Sequence, residues 1–362
     1  PDGHFGKPQR LDEEINQERD MPILWGNGRL LRAMAEQLMR EDDEALRASA
    51  IKLGDYIRDT RRYYGKPENF EAVGGVFASG FTTCYPSLID GLVALGVATG
   101  EQRFLDEAHF IGELSMLDQD LEKRHSHGRL SAYRGLLELD MLRGTRDFIP
   151  MIERGVAAMQ AEYALPTGGI PEIFDTGYNR DEGCSEADWV WVHLLLWKAT
   201  GDTGYLDRAA FVIRNHLIPT QFPNGGFGHH VFENLEAGDA TYRGTALDDW
   251  ASDAYWCCCM HGAQVAADLA NWAVMTDGDA ILVPLLAEAT ATVRVLDTAV
   301  EVRVSEPKPG QWKIALSPEK AVELHVKVRQ PRGLTPIEVN GEPQEAEGGW
   351  VTLRHAAHDS PL

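Results

Sequence analysis

The chain reads as mainly α, an (α/α)6 toroid followed by a small antiparallel β-sandwich. Three observations predict this. Apolar residues recur at helical spacing over roughly the first 275 residues. Within that stretch one pattern repeats: apolar helix, Gly, short polar turn, aromatic, second helix. Near residue 280 the pattern changes to short, alternating, β-rich segments. The expected domains are residues 1–278 for the toroid and 279–362 for the sandwich.

In chain order, LLRAMAEQLMREDDEALRASAIKLGDYIRDTRRYY comes first, helical in spacing and without Pro or Gly until Gly54. LVALGVATGEQRFLDEAHFIGE, LLELDMLRGTRDFIPMIERGVAAM and LLLWKATGDTGYLDRAAFVIRNHL follow as helical hairpins. Gly100, Gly144 and Gly201 are placed to end the first helix of each in a left-handed conformation. The repeat spacing, roughly 45 to 60 residues, exceeds that of the usual solenoids. The connectors are long and rich in Gly and aromatics, as in LPTGGIPEIFDTGYNRDEGC, and this favours a closed toroid with its site at one rim. The tail supplies ATATVRVL, AVEVRVSE, QWKIALS, AVELHVKVRQ, TPIEVNGEP and GWVTLRH as strands, with turns at PKPGQ and VNGEP. It ends at DSPL where one more strand is expected, so the sandwich reads as truncated.

Composition narrows the function. With 34 Lys+Arg against 56 Asp+Glu the formal charge is −22, which argues against non-specific nucleic-acid binding and docking on anionic lipid. No stretch approaches the roughly 20 apolar residues of a membrane span. No signal-peptide pattern is visible, and with the thiols this points to the cytoplasm. An exposed sandwich edge would offer a surface for homo-oligomers.

Of five cysteines, Cys257, Cys258 and Cys259 are adjacent, which suits a metal or redox cluster better than a disulfide framework. They precede a helix, as does Cys184, and a helix N-terminus favours the thiolate. Glu182, Cys184 and two of the three adjacent cysteines would make an S3O site suited to zinc. Cys84 reads as a buried core thiol. Glu172, in a Gly-rich loop, reads either as a solvated carboxylate or as a general acid with a raised pKa. His125, His127, His229, His230 and His261 offer zinc ligands or sugar contacts. Trp189, Tyr255 and Trp256 read either as a sugar platform or as packing residues.

TGGIPEIF, then EGC before an apolar helix, then CCC before another helix, resemble glycoside hydrolase family 127, the β-L-arabinofuranosidases and their relatives. RQP, IEVNGE and GWVTLRH resemble the sandwich that follows the barrel in that family. The resemblance runs from about residue 25 to the end and is specific around the cysteines. It implies zinc-dependent, retaining, exo-acting hydrolysis of a furanoside or related saccharide. Carried over by position, it makes Glu182, Cys184, Cys258 and Cys259 the zinc ligands, with Cys258 also the nucleophile. Cys257 takes that role if the register slips. Glu172 becomes the acid/base, and His127 falls near a sugar-binding histidine. His261, Trp189 and Tyr255 join it as candidate sugar contacts. Met260, His261 and Gly262 stand where the family continues with Pro and Asn, and Gly183 stands where it has Thr. These departures bear on the sugar more than on the metal. Two other functions compete. One is an (α/α)-barrel sugar epimerase or unsaturated-uronide hydrolase, which would not need the cysteines. The other is a non-catalytic carbohydrate-binding protein with structural zinc.

Overall fold

A computed structural model describes residues 3–6, 17–68, 84–117, 120–122, 124–175, 180–233, 241–245, 256–333 and 336–355. Among them the helices are α1 (Gln17–Arg40), α2 (Glu44–Tyr64), α3 (Leu88–Thr99), α4 (Gln102–Ser115), α5 (Ser126–Arg143), α6 (Ile149–Glu162), α7 (Gly183–Thr200), α8 (Gly204–Val212) and α9 (Trp256–Ala273). A π turn, Ile213–Leu217, extends α8. The first apolar run is broken at Asp43, whose carboxylate accepts the Leu46 N–H at 2.9 Å and starts α2. Gly100, Gly144 and Gly201 close α3, α5 and α7 with φ of 72°, 66° and 77°. The α5–α6 turn is held by Asp140, which accepts from the backbone of Asp147, Phe148 and Ile149.

The hairpins assemble as a toroid. Helices α1, α3, α5, α7 and α9 pack against one another in succession, while α2, α4, α6 and α8 lie outside them. Burial follows position. Every residue of α7 from Gly183 to Trp197 is buried, whereas the outer helices bury one stripe. No helix among the described residues is long and apolar enough to cross a membrane.

An antiparallel pair, β1 (His230–Glu233) and β2 (Thr241–Thr245), precedes α9, and the sandwich strands follow from β3 (Met275–Asp277). One sheet has the order β11 (Trp350–His355), β8 (Leu324–Arg329), β4 (Ala280–Val283), β3. The other is β5 (Ala289–Val295), β6 (Thr298–Lys308), β7 (Gln311–Pro318). All pairings within these sheets are antiparallel except β4 with β8. Val300, Val302 and Val304 alternate inward from β6 onto Ile281, Val326 and Val328. Asn340 and Gly341, at φ 53° and 86°, make the tight turn expected at VNGEP, between the short strands β9 (Glu338–Val339) and β10 (Glu342–Pro343). The two domains are joined through polar and apolar contacts. Arg329 of β8 pairs with Asp207 of α8 at 2.7 Å and donates to the Thr203 carbonyl, and Trp350 lies 6.0 Å from Trp197.

Candidate metal centre and active site

The inner helices begin at one rim, and the chemistry gathers there. Cys184 lies in the first turn of α7, and Cys257 and Cys258 lie in the first turn of α9. With Glu182 they form a group whose ligand atoms all lie within 4.8 Å of one another, able to hold a metal ion. Cys184 Sγ is 3.8 Å from Cys258 Sγ, and Cys258 Sγ is 3.9 Å from Cys257 Sγ. Burial pushes the Cys184 thiol up. Hydrogen bonds from Cys184 and Cys258 instead pull the Cys257 thiol down to about 4. Cys258 is fully buried, whereas Cys257 is only partly so.

Cys259, expected as a ligand, is not in this group. Its Sγ donates to the Phe227 carbonyl and accepts the Phe227 N–H, both at 3.4 Å. On a helix successive side chains diverge by about 100°, so three adjacent cysteines cannot face one point. Phe227 fixes which two do. It packs against Gly183, where a Cβ would come within 2.9 Å of it and 3.1 Å of the Cys258 side chain, and against Gly262, where a Cβ would overlap its ring. The pair facing Cys184 is therefore Cys257–Cys258, one residue earlier than the family register suggested.

Glu182 is set by its neighbours. Its Oε1 lies 3.2 Å from His125 Nε2 and accepts from Ser185 Oγ at 2.8 Å, and His229 Nε2 stands 3.7 Å from its Oε2. Burial would raise its pKa, but His125 holds the carboxyl well below the usual range. Glu172 is buried and joins the same wall, its carboxylate within 4.8 Å of ligand atoms of His125 and Glu182. Arg180 clamps Glu172 Oε2, and His229 lies 4.0 Å from Oε1. The Glu172 loop is fastened through its carbonyl, which accepts from the Ser126 backbone and hydroxyl.

His127 and His261 form a second corner, their rings 4.7 Å apart, and their nitrogens lie within 4.8 Å of Cys184. His127 Nδ1 meets Asp188 at 2.6 Å, and Arg29 lies 3.2 Å from its Nε2. Burial, with His127 beside it, lowers His261 to about 3, so that ring is neutral. A guanidinium at this distance makes the corner poor for a second cation and apt for a hydroxyl. Trp189 is not a sugar platform. It is fully buried, its indole N–H donates to the Gly168 carbonyl, and its ring packs on His193. Tyr255 lies outside the described residues. Cys84 is a fully buried core thiol as expected.

Two groups were not singled out in the sequence. Arg29, Arg32, Arg134, Asp90 and Asp188 form a charged layer across the ring beneath the His127 corner. Asp181, Glu186 and His216 form a buried polar cluster behind Glu182. Burial opposes charge on His216, but Glu186 and Asp181 more than offset it and push the imidazole up to about 10. Arg and Asp on inner faces of helices are a visible signal. His216, near the end of an outer helix, carries none.

With this geometry in view, the comparisons are specific about fold. A GH127 β-L-arabinofuranosidase from Geobacillus stearothermophilus T6 superposes with a TM-score of 0.70 at 15% identity, covering 100% of this chain and 65% of that one. The chain has the GH127 fold. A second GH127 β-arabinofuranosidase matches with TM-score 0.58 at 14% identity, covering 99% of this chain and 72% of that one. A structure described as a glycoside hydrolase matches with TM-score 0.66 at 15% identity, covering 96% and 64%. The chain thus spans about two thirds of the length of these GH127-fold proteins. No family model and no curated protein matches it in sequence.

Proposed function

We propose that the protein is a zinc-dependent retaining glycoside hydrolase acting on the end of a β-L-arabinofuranoside or a related saccharide. The observation that carries this is the sulfur spacing. Zinc with bonds of about 2.3 Å to sulfur in a tetrahedron sets its sulfurs about 3.8 Å apart. The separations here are 3.8 Å for Cys184–Cys258 and 3.9 Å for Cys257–Cys258. Three sulfurs and one carboxylate are also a donor set that selects zinc over harder ions. When bound, zinc would keep the sulfurs as thiolates near neutral pH.

The residues of the chain divide the remaining work. Cys257 is the nucleophile, because it reaches solvent and Cys258 does not. Its sulfur attacks the anomeric carbon as the bond to the leaving oxygen breaks. Glu172 gives that oxygen its proton, and the sugar is left on Cys257 as a thioether. Glu172 then takes a proton from water, which displaces the sulfur with a second inversion. His127, His261 and Arg29 would meet hydroxyls of the bound sugar. An epimerase has no use for three convergent sulfurs, so the hydrolase is the better reading.

Elemental analysis should find about one zinc per chain, the stoichiometry of a single four-coordinate site. Cys257→Ser should abolish hydrolysis of aryl furanosides, while Cys259→Ser should leave metal content and rate close to wild type. Metal-free wild type, or full activity in Cys257→Ser, would overturn the proposal.

A further inference from the structure

The cluster behind Glu182 touches the loop that carries Glu172, the Asp181–Glu186 stretch and the His229–His230 stretch. His216 is fully buried on the π turn that ends α8. Such turns inside helices often redirect a functional side chain. Its Nε2 lies 2.8 Å from Asp181 Oδ2 and 3.1 Å from Glu186 Oε1, and its Nδ1 lies 2.7 Å from Thr167 Oγ1. Glu186 Oε1 also accepts the Ile170 N–H at 2.8 Å. Thr167 and Ile170 belong to the loop that carries Glu172. Asp181 accepts the His230 N–H at 2.7 Å and contacts His230 Nδ1 at 3.0 Å. Asp181 directly precedes Glu182, and His230 directly follows His229, which faces both Glu172 and Glu182. Gly169 lies flat on the imidazole, where a Cβ would come within 2.5 Å of Nδ1. Asp181, Glu186 and His216 have donor spacing that could suit a metal, but here ring nitrogens bridge the carboxylates directly. No ion is needed to join them.

We propose that His216 is a positioning residue for Glu172, holding the acid/base loop in register with the Glu182–Cys184 segment and the His229–His230 segment. This rests on the hydrolase reading above. His216 contacts Asp181, Glu186 and Thr167 and reaches the proposed chemistry through them. It acts by fixing where the Glu172 carboxyl stands relative to the leaving oxygen. Loss of that register damages proton donation and spares nucleophilic attack and metal binding.

The test compares kcat/KM, which is set by the first step alone and excludes the water step that also uses Glu172, for dinitrophenyl and methyl β-L-arabinofuranosides. The first leaves without a proton and the second requires one. His216→Gln should slow the methyl glycoside about 100-fold, the scale of a misplacement near 1 Å. The dinitrophenyl glycoside should stay within about threefold, and zinc content should be unchanged. Thr167→Val removes one anchor of the loop at a partly exposed site and should shift the same ratio about fivefold, the worth of one hydrogen bond. It carries the test if His216→Gln does not fold. Equal losses on both substrates, or none on either, overturn the inference and leave the hydrolase reading standing. A wild type that cleaves neither these nor the aryl glycosides of related furanoses and pyranoses overturns both.

Discussion

At the scale of single residues, the cysteines were legible as a metal cluster and illegible as individuals. The three adjacent thiols, Cys184 and Glu182 announce a metal by residue type. The choice among Cys257, Cys258 and Cys259 depends on Phe227, which lies about thirty residues away in sequence and captures the third sulfur. Glu172 poses the same difficulty in another form. Nothing in TGGIPEIF says whether its carboxyl is solvated. The fold buries it between Arg180, His125 and His229. Glu172→Gln is expected to slow hydrolysis of unactivated glycosides by at least ~100-fold, the lower range for general acid catalysis. Steady-state kinetics on the methyl glycoside checks this, and a rate within a fewfold of wild type would assign the proton to another group.

At the scale of elements, the hairpins could be read because their punctuation is local. A Gly after an apolar helix needs no tertiary information to adopt positive φ, and Gly100, Gly144 and Gly201 all do so. Gly144 has open space where a Cβ would project. Gly144→Ala should therefore cost about 1 kcal/mol from backbone strain alone, read as a lowered thermal midpoint with unchanged metal content. Gly262 is a different case. Its Cβ would overlap the Phe227 ring, so the residue that departs from the family pattern is one the wedge between α7 and α9 requires. The parallel pairing of β4 with β8 was not legible, because alternation reports which face is buried and says nothing of which strand lies beside it.

At the scale of the whole molecule, the charged layer ties the ring together. Asp90 on α3 accepts from Arg29 and Arg32 of α1 and from Arg134 of α5, and Arg134 also meets Asp188 on α7. Asp90→Asn should destabilise the protein by about 3 kcal/mol, the low end for breaking a buried pair, because Arg29 and Arg32 reach solvent. Chemical denaturation measures it. Burial would raise the pKa of Asp188, but Arg134 and His127 hold it below its usual value. Asp90 is held down in the same way by Arg134, Arg32 and Arg29, against its own burial. A carboxyl depressed in the fold contributes its stability above the unfolded value near pH 4 and loses it as pH falls through the folded value. The thermal midpoint should therefore drop below about pH 4 in wild type and drop less in Asp90→Asn. The layer also has a mechanical consequence. It joins α1, α3, α5 and α7 in one chain of ion pairs, so a displacement of α3 or of α5 breaks contacts to two other helices at once.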